Sequence, residues 1–145
     1  MKTKTLLLLA TQFDIKNTPK TDFNTKLSKL QCDVLLLFGK DDPWCKPIFA
    51  KKMLSSLHGR PGYTERYIEV SEAGHCPNHE APHAVAHALN QWIPSKNRNR
   101  DHLSIVEGND MMIREPWGDV RIREVGVEEA NNLSIFDKLT IKMVG

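Results

Sequence analysis

Long apolar runs are missing from this chain of 145 residues. No stretch approaches the roughly 20 consecutive apolar residues of a membrane-spanning helix, so no span is expected. Cysteine is scarce: Cys32, Cys45 and Cys76 are odd in number and irregular in spacing. They do not form the pattern of a disulfide framework, and a reducing compartment is expected. An excess of one charge is lacking too, with 20 basic residues against 18 acidic ones and a net charge of +2. That balance gives no electrostatic ground for a nucleic-acid partner or an anionic membrane. A secretory leader is not expected either. The apolar run at 6–10 follows Lys2 and Lys4, but it is five residues long, and Thr11-Gln12-Phe13-Asp14 is a poor cleavage site. Internal repeats and low-complexity segments are absent from the sequence.

What is present suits one globular domain: 40% apolar and 26% charged residues. Residues 1–29 form a poorly defined lead-in; the pattern over 1–12 fits a short helix or a strand, and 13–25 reads as loop. The run Asp33-Val34-Leu35-Leu36-Leu37-Phe38, ended by Gly39, has the continuous apolar character of a parallel strand buried on both faces. Pro47 can open a helix, where its missing N–H costs nothing. Ala50, Met53, Leu54 and Leu57 then recur at helical spacing, and Gly59-Arg60-Pro61-Gly62 stops the helix. Tyr67-Ile68-Glu69-Val70 reads as a second strand. A second helix is expected from Pro82 to about Ile93, with Val85, Ala88, Leu89 and Trp92 as its apolar stripe. The alternation of strand and helix over 30–95 is α/β architecture. Past Pro94 the composition changes to a basic linker at 96–100 and a tail over 96–145. Within the tail, two β-rich runs flank Pro116-Trp117-Gly118-Asp119, a plausible hairpin turn.

Each strand of the α/β segment ends in a polar loop, and working loops lie at that end of parallel strands. The first loop carries Asp41-Asp42-Pro43-Trp44 and the second Gly74-His75-Cys76-Pro77. An imidazole can take and return a proton near neutral pH, and a buried carboxylate fixes its tautomer. Asp is also a common turn former and Gly-His a common loop pair, so spacing alone leaves both readings open. Gly39-Lys40-Asp41-Asp42-Pro43-Trp44, together with Gly74-His75-Cys76-Pro-x-x-Glu-x-Pro, resembles the end of the α/β-hydrolase fold. The nearest likeness is to plant and cyanobacterial members related to pheophytinase and chlorophyll dephytylase, over about residues 30–95. The resemblance implies that these are the last two parallel strands of a hydrolase sheet with flanking helices. It implies catalytic roles for Asp42 as triad acid and His75 as triad base, with Asp41 the weaker candidate for the acid. It also implies a carboxylic-ester substrate for the complete domain and residence in a chloroplast.

The nucleophile is lacking. The fold's serine lies in a G-x-S-x-G elbow ahead of both other triad members, and no such motif occurs. Ser28 is the one serine ahead of Asp42, and it lies between Leu27 and Lys29, without flanking glycines. The expected function is therefore that of a hydrolase fragment, from a truncated gene model, a splice form or a pseudogene-like copy, inactive alone. The alternative is a non-catalytic interaction remnant that docks or self-associates through an open sheet edge. An apolar patch is expected with that edge, because two strands and two helices do not cover Leu35, Leu37 and Phe38. A third reading is a metal-binding segment. His75, His79, His83 and His87 recur every four residues, but His79 precedes the helix and His83 and His87 lie opposite its apolar stripe. No metal and no organic cofactor is therefore expected. Cys45 and Cys76 read as small buried hydrophobes, Trp44 and Trp92 as packing groups, and Trp117 as an exposed residue of the tail.

Overall fold

The computed structural model describes residues 5–9, 25–93, 105–134 and 139. Five strands form one sheet in the order β1-β2-β3-β5-β4. β1 (Thr5–Leu9), β2 (Asp33–Gly39) and β3 (Glu65–Ser71) run parallel. β4 (Met111–Glu115) and β5 (Gly118–Glu124) form an antiparallel hairpin, and β5 pairs antiparallel with β3. Helix α1 (Pro47–Leu57) joins β2 to β3. The short α2 (Pro77–Glu80) and α3 (Pro82–Trp92) follow β3, and α4 (Val127–Asn131) follows β5.

The alternation of strand side chains explains the unbroken apolar run of β2. Leu35 and Leu37 join Ile68, Val70 and the Ala84, Val85 and Ala88 face of α3. Val34, Leu36 and Phe38 point the other way, toward Ala50, Met53, Leu54 and Leu57 of α1. A strand covered on both faces has no polar side to show. At the end of α1 a buried cation does what no glycine does. Arg60 donates Nε to the Leu57 carbonyl (2.8 Å) and Nη1 to those of Leu30 (2.9 Å) and Cys32 (2.8 Å). It ties the helix end to the entry of β2.

Three expectations are corrected. The parallel part of the sheet has three strands rather than two, because the apolar run at 5–9 pairs with β2 in register, Leu6 opposite Val34. The hairpin of the tail extends the same sheet, with Ile122 opposite Val70. The far side of β3 is therefore covered by β5, and among the described residues the open edges are those of β1 and β4. Nor are Leu35, Leu37 and Phe38 uncovered; each is at most 2% exposed. The basic linker at 96–100 lies outside the described residues. No described helix is long and apolar enough to cross a membrane.

The sheet brings two loops to one place. Lys40 N–H donates to the Val70 carbonyl (2.8 Å) and Asp41 N–H to that of Ala73 (3.0 Å), so the chain leaving β2 is laced to the chain leaving β3. Gly39 permits this approach. A Cβ there would stand 2.0 Å from the Gly74 carbonyl oxygen and 2.5 Å from that of Ala73, and neither backbone atom can rotate away. Beyond β3 the backbone turns through Glu72 at φ 61°, in the left-handed region, with its N–H on Asp41 Oδ2 at 2.9 Å.

Candidate active site

Asp42 and His75, 33 residues apart in sequence, meet in this corner: His75 Nδ1 lies 2.8 Å from Asp42 Oδ2. Asp42 is 1% exposed. Its other oxygen, Oδ1, accepts the backbone N–H groups of Trp44 (2.8 Å) and Cys45 (2.9 Å), which fold the loop around the carboxylate. Burial alone would raise the Asp42 carboxyl. The hydrogen bonds from Cys45, His75 and Trp44 outweigh it and hold the carboxyl below its ordinary range. An ionised carboxylate only accepts, so Nδ1 of a neutral His75 carries the proton and Nε2 keeps its lone pair. Among the described residues no hydrogen bond engages Nε2. The ring is one quarter exposed, at 24%. Asp41, by contrast, is exposed and serves the turn at Glu72.

Trp44 is not the packing group expected. It is 72% exposed, and its ring stands edge-on to His75 with centroids 5.0 Å apart. Cys45 and Cys76 are half-buried rather than buried. Cys45 has a further neighbourhood: one donor atom from each of Asp42, Cys45 and His75 falls within 4.8 Å of the others. Burial, and then the Asp42 charge, push the Cys45 thiol up. Trp92 does pack, against the α3 side of the core. Trp117 is 62% exposed, as expected.

The histidines at 79, 83 and 87 do not assemble; among the described residues they enter no three-donor group. His83 is exposed, but its Nδ1 lies 3.0 Å from the Arg114 carbonyl, and His87 Nε2 bonds Gln91. Ser28, the serine ahead of Asp42, donates to the Thr25 carbonyl at 2.9 Å.

Residues that the sequence reading left without a role hold the His75 loop. Glu80 reaches back over it: Oε2 accepts Gly74 N–H (2.7 Å) and Oε1 accepts Cys76 N–H (2.9 Å), the amides on either side of His75. The hairpin supports this clamp from outside. Trp117 Nε1 donates to the Glu80 carbonyl (2.7 Å). Glu115, 4% exposed, accepts the N–H groups of His83 (3.2 Å) and Ala84 (2.8 Å). Those amides open α3, whose own N-cap, Ala81, has no side chain to cap them. The visible signal was the Glu of the Gly-His-Cys-Pro-x-x-Glu-x-Pro stretch. The contribution of Glu115 had none, because it comes from a distant strand.

No protein-family model matches the chain, and no solved structure matches it. Among curated proteins it is similar to a protein named pheophytinase, chloroplastic, from Arabidopsis thaliana. The two are 31% identical over 110 residues, covering 71% of this chain and 21% of that protein. The chain thus spans about one fifth of the length of the curated relative it matches. That similarity and the mixed α/β sheet give this chain a hydrolase-like relation and the build of a C-terminal portion of an α/β-hydrolase fold.

Proposed function

We propose that this chain is the acid–base segment of a carboxylic-ester hydrolase of the Ser-His-Asp type, with His75 as general base and Asp42 orienting it. The observation that carries the reading is the 2.8 Å contact between His75 Nδ1 and a buried Asp42 whose second oxygen is already satisfied by two amides. That arrangement leaves the Nε2 lone pair toward whatever hydroxyl is brought to it. In the complete domain a serine hydroxyl would give its proton to Nε2 while attacking the ester carbonyl, and the imidazolium would then protonate the leaving alcohol. The carboxylate stabilises the imidazolium without taking its proton.

The 145 residues contain no G-x-S-x-G elbow, so the chain alone has no triad-dependent turnover in this reading. Without nucleophile and oxyanion donors, the dyad has neither an attacking atom nor stabilisation for the charge that develops. The ester-hydrolase class and chloroplast residence both lean on the pheophytinase relative. The alternative, an interaction remnant docking through an open sheet edge, would use β1 or β4, the outermost strands among the described residues.

Two measurements on the purified chain test the proposal. Nitrogen-15 spectra should show His75 with its proton on Nδ1 at neutral pH. A p-nitrophenyl ester should show no saturable hydrolysis. A proton on Nε2, or saturable hydrolysis lost in His75→Ala, overturns it.

A further inference from the structure

The corner between β2 and β3 holds more than a proton relay needs. Beside the carboxylate and the imidazole stands a thiol, Cys45, with one donor atom of each group within 4.8 Å of the other two. Carboxylate, imidazole and thiolate are the donor types of zinc sites, at bond lengths of roughly 2.0–2.3 Å. A tetrahedral ion with those bonds spaces its donors by about 3.3–3.8 Å, so a set already inside 4.8 Å needs small side-chain adjustments. The 2.8 Å hydrogen bond between Asp42 and His75 must open by about half an ångström to admit an ion, and the Cys45 donor must close on them by at most about 1 Å.

We propose that Asp42, Cys45 and His75 form a three-ligand site for a thiophilic divalent cation of the zinc class, which binds in competition with the proton that Asp42 and His75 share. Three further features suit an ion. The Asp42 carboxylate is aimed by the amides of Trp44 and Cys45 on its other oxygen, the outer-shell support that fixes a ligating group. The imidazole, 24% exposed, gives a path from solvent. The fourth position stays open to water. Burial and the Asp42 charge work against ionising the thiol in the metal-free state. A bound dication reverses that balance, because a coordinating thiol is deprotonated outright. The chemistry balances simply: the ion enters, the Cys45 proton leaves to solvent, and the proton between Asp42 and His75 is exchanged through solvent for one on Nε2, so the imidazole stays neutral. With the ion bound, the Nδ1 lone pair is committed to metal and the relay is off. This last consequence rests on the acid–base reading above; the binding itself does not.

Cobalt(II) titration of the reduced full chain tests the site directly. One equivalent should bring up a thiolate-to-cobalt charge-transfer band, and zinc should displace it. Cys45→Ser should abolish the band. His75→Ala should weaken binding roughly tenfold or more. The double variant His83→Ala/His87→Ala should leave both band and affinity unchanged. Absence of a thiolate band in the wild-type chain, or a band that survives Cys45→Ser, overturns the proposal. Should His75→Ala fail to fold, Cys45→Ser, a near-isosteric change at a half-buried position, still decides. None of these outcomes depends on ester hydrolysis, so the metal site and the hydrolase reading fail separately.

Discussion

At Asp42, burial and hydrogen bonding act on one carboxylate in opposite directions, and hydrogen bonding prevails. The consequence for stability has a definite sign. The folded carboxyl lies below its reference value of 3.8, so the unfolded chain binds this proton more readily. The contribution is therefore full above the unfolded value and is lost as pH falls through the lowered, folded one. Asp42→Asn should cost about 1–3 kcal/mol at neutral pH, because a charge-assisted bond is lost and a buried donor is left facing His75 Nδ1. The gap between wild type and variant should narrow as pH falls from neutral to below 3.8, where the unfolded chain takes up this proton before the folded one does. Urea midpoints for the two proteins at both pH values check this, and a gap that widens in acid contradicts it. The choice of Asp42 over Asp41 could be read from the resemblance, but its physical reason lies in the fold. Asp42 is buried with three donors converging on it, whereas Asp41 is exposed and holds a turn. The position of Cys45 beside the pair was out of reach of the sequence. It depends on how the Asp42 carboxylate winds the next three residues around itself.

Strands and helices were legible where one local pattern decided them and illegible where a distant partner did. β2 announced itself because both of its faces are buried; α1 did so because Pro47 opens it and an apolar stripe faces the sheet. The run at 5–9 has no periodicity to tell helix from strand, and only its register beside β2 settles the matter. The hairpin could be read from its turn, but not its destination, since pairing Ile68 with Glu124 and Val70 with Ile122 is a non-local choice. Yet that destination reaches the site. β4 ends in Glu115, which caps α3, and its turn carries Trp117, which holds the Glu80 carbonyl. Glu80 in turn clamps the amides on both sides of His75. Glu115→Ala should destabilise the chain by about 1–2 kcal/mol, the scale of a lost helix cap. Glu80→Ala should instead act locally, raising hydrogen exchange at the Gly74 and Cys76 amides while exchange in β2 stays slow. Equal acceleration in β2 would mean that Glu80 supports the whole sheet rather than the loop.

The whole molecule is a short parallel sheet whose far edge is closed by its own tail. Parallel strands are stable when covered on both faces and neighboured on both sides, and β2 meets that condition with β1 and β3 beside it and α1 and α3 on its faces. β3 meets it only because of the hairpin. Without β5 its edge would present unpaired amides and carbonyls. Val120 and Ile122 would also be missing from the cluster that covers Ala84, Val85 and Ala88. Three ion pairs across the seam, Arg66 with Glu124, Arg121 with Glu72 and Arg123 with Glu69, fix the register while leaving the affinity to the apolar contacts. It follows that ending the chain after residue 104 should uncover both an edge and an apolar face, the combination that drives strand-to-strand association. The shortened chain should sediment as larger, concentration-dependent species under conditions where the full chain does so less, and it should unfold at lower urea. If it instead matches the full chain in size and midpoint, β3 is secured from the α1 and α3 faces alone. The hairpin would then be an appendage to the sheet rather than its closing strand.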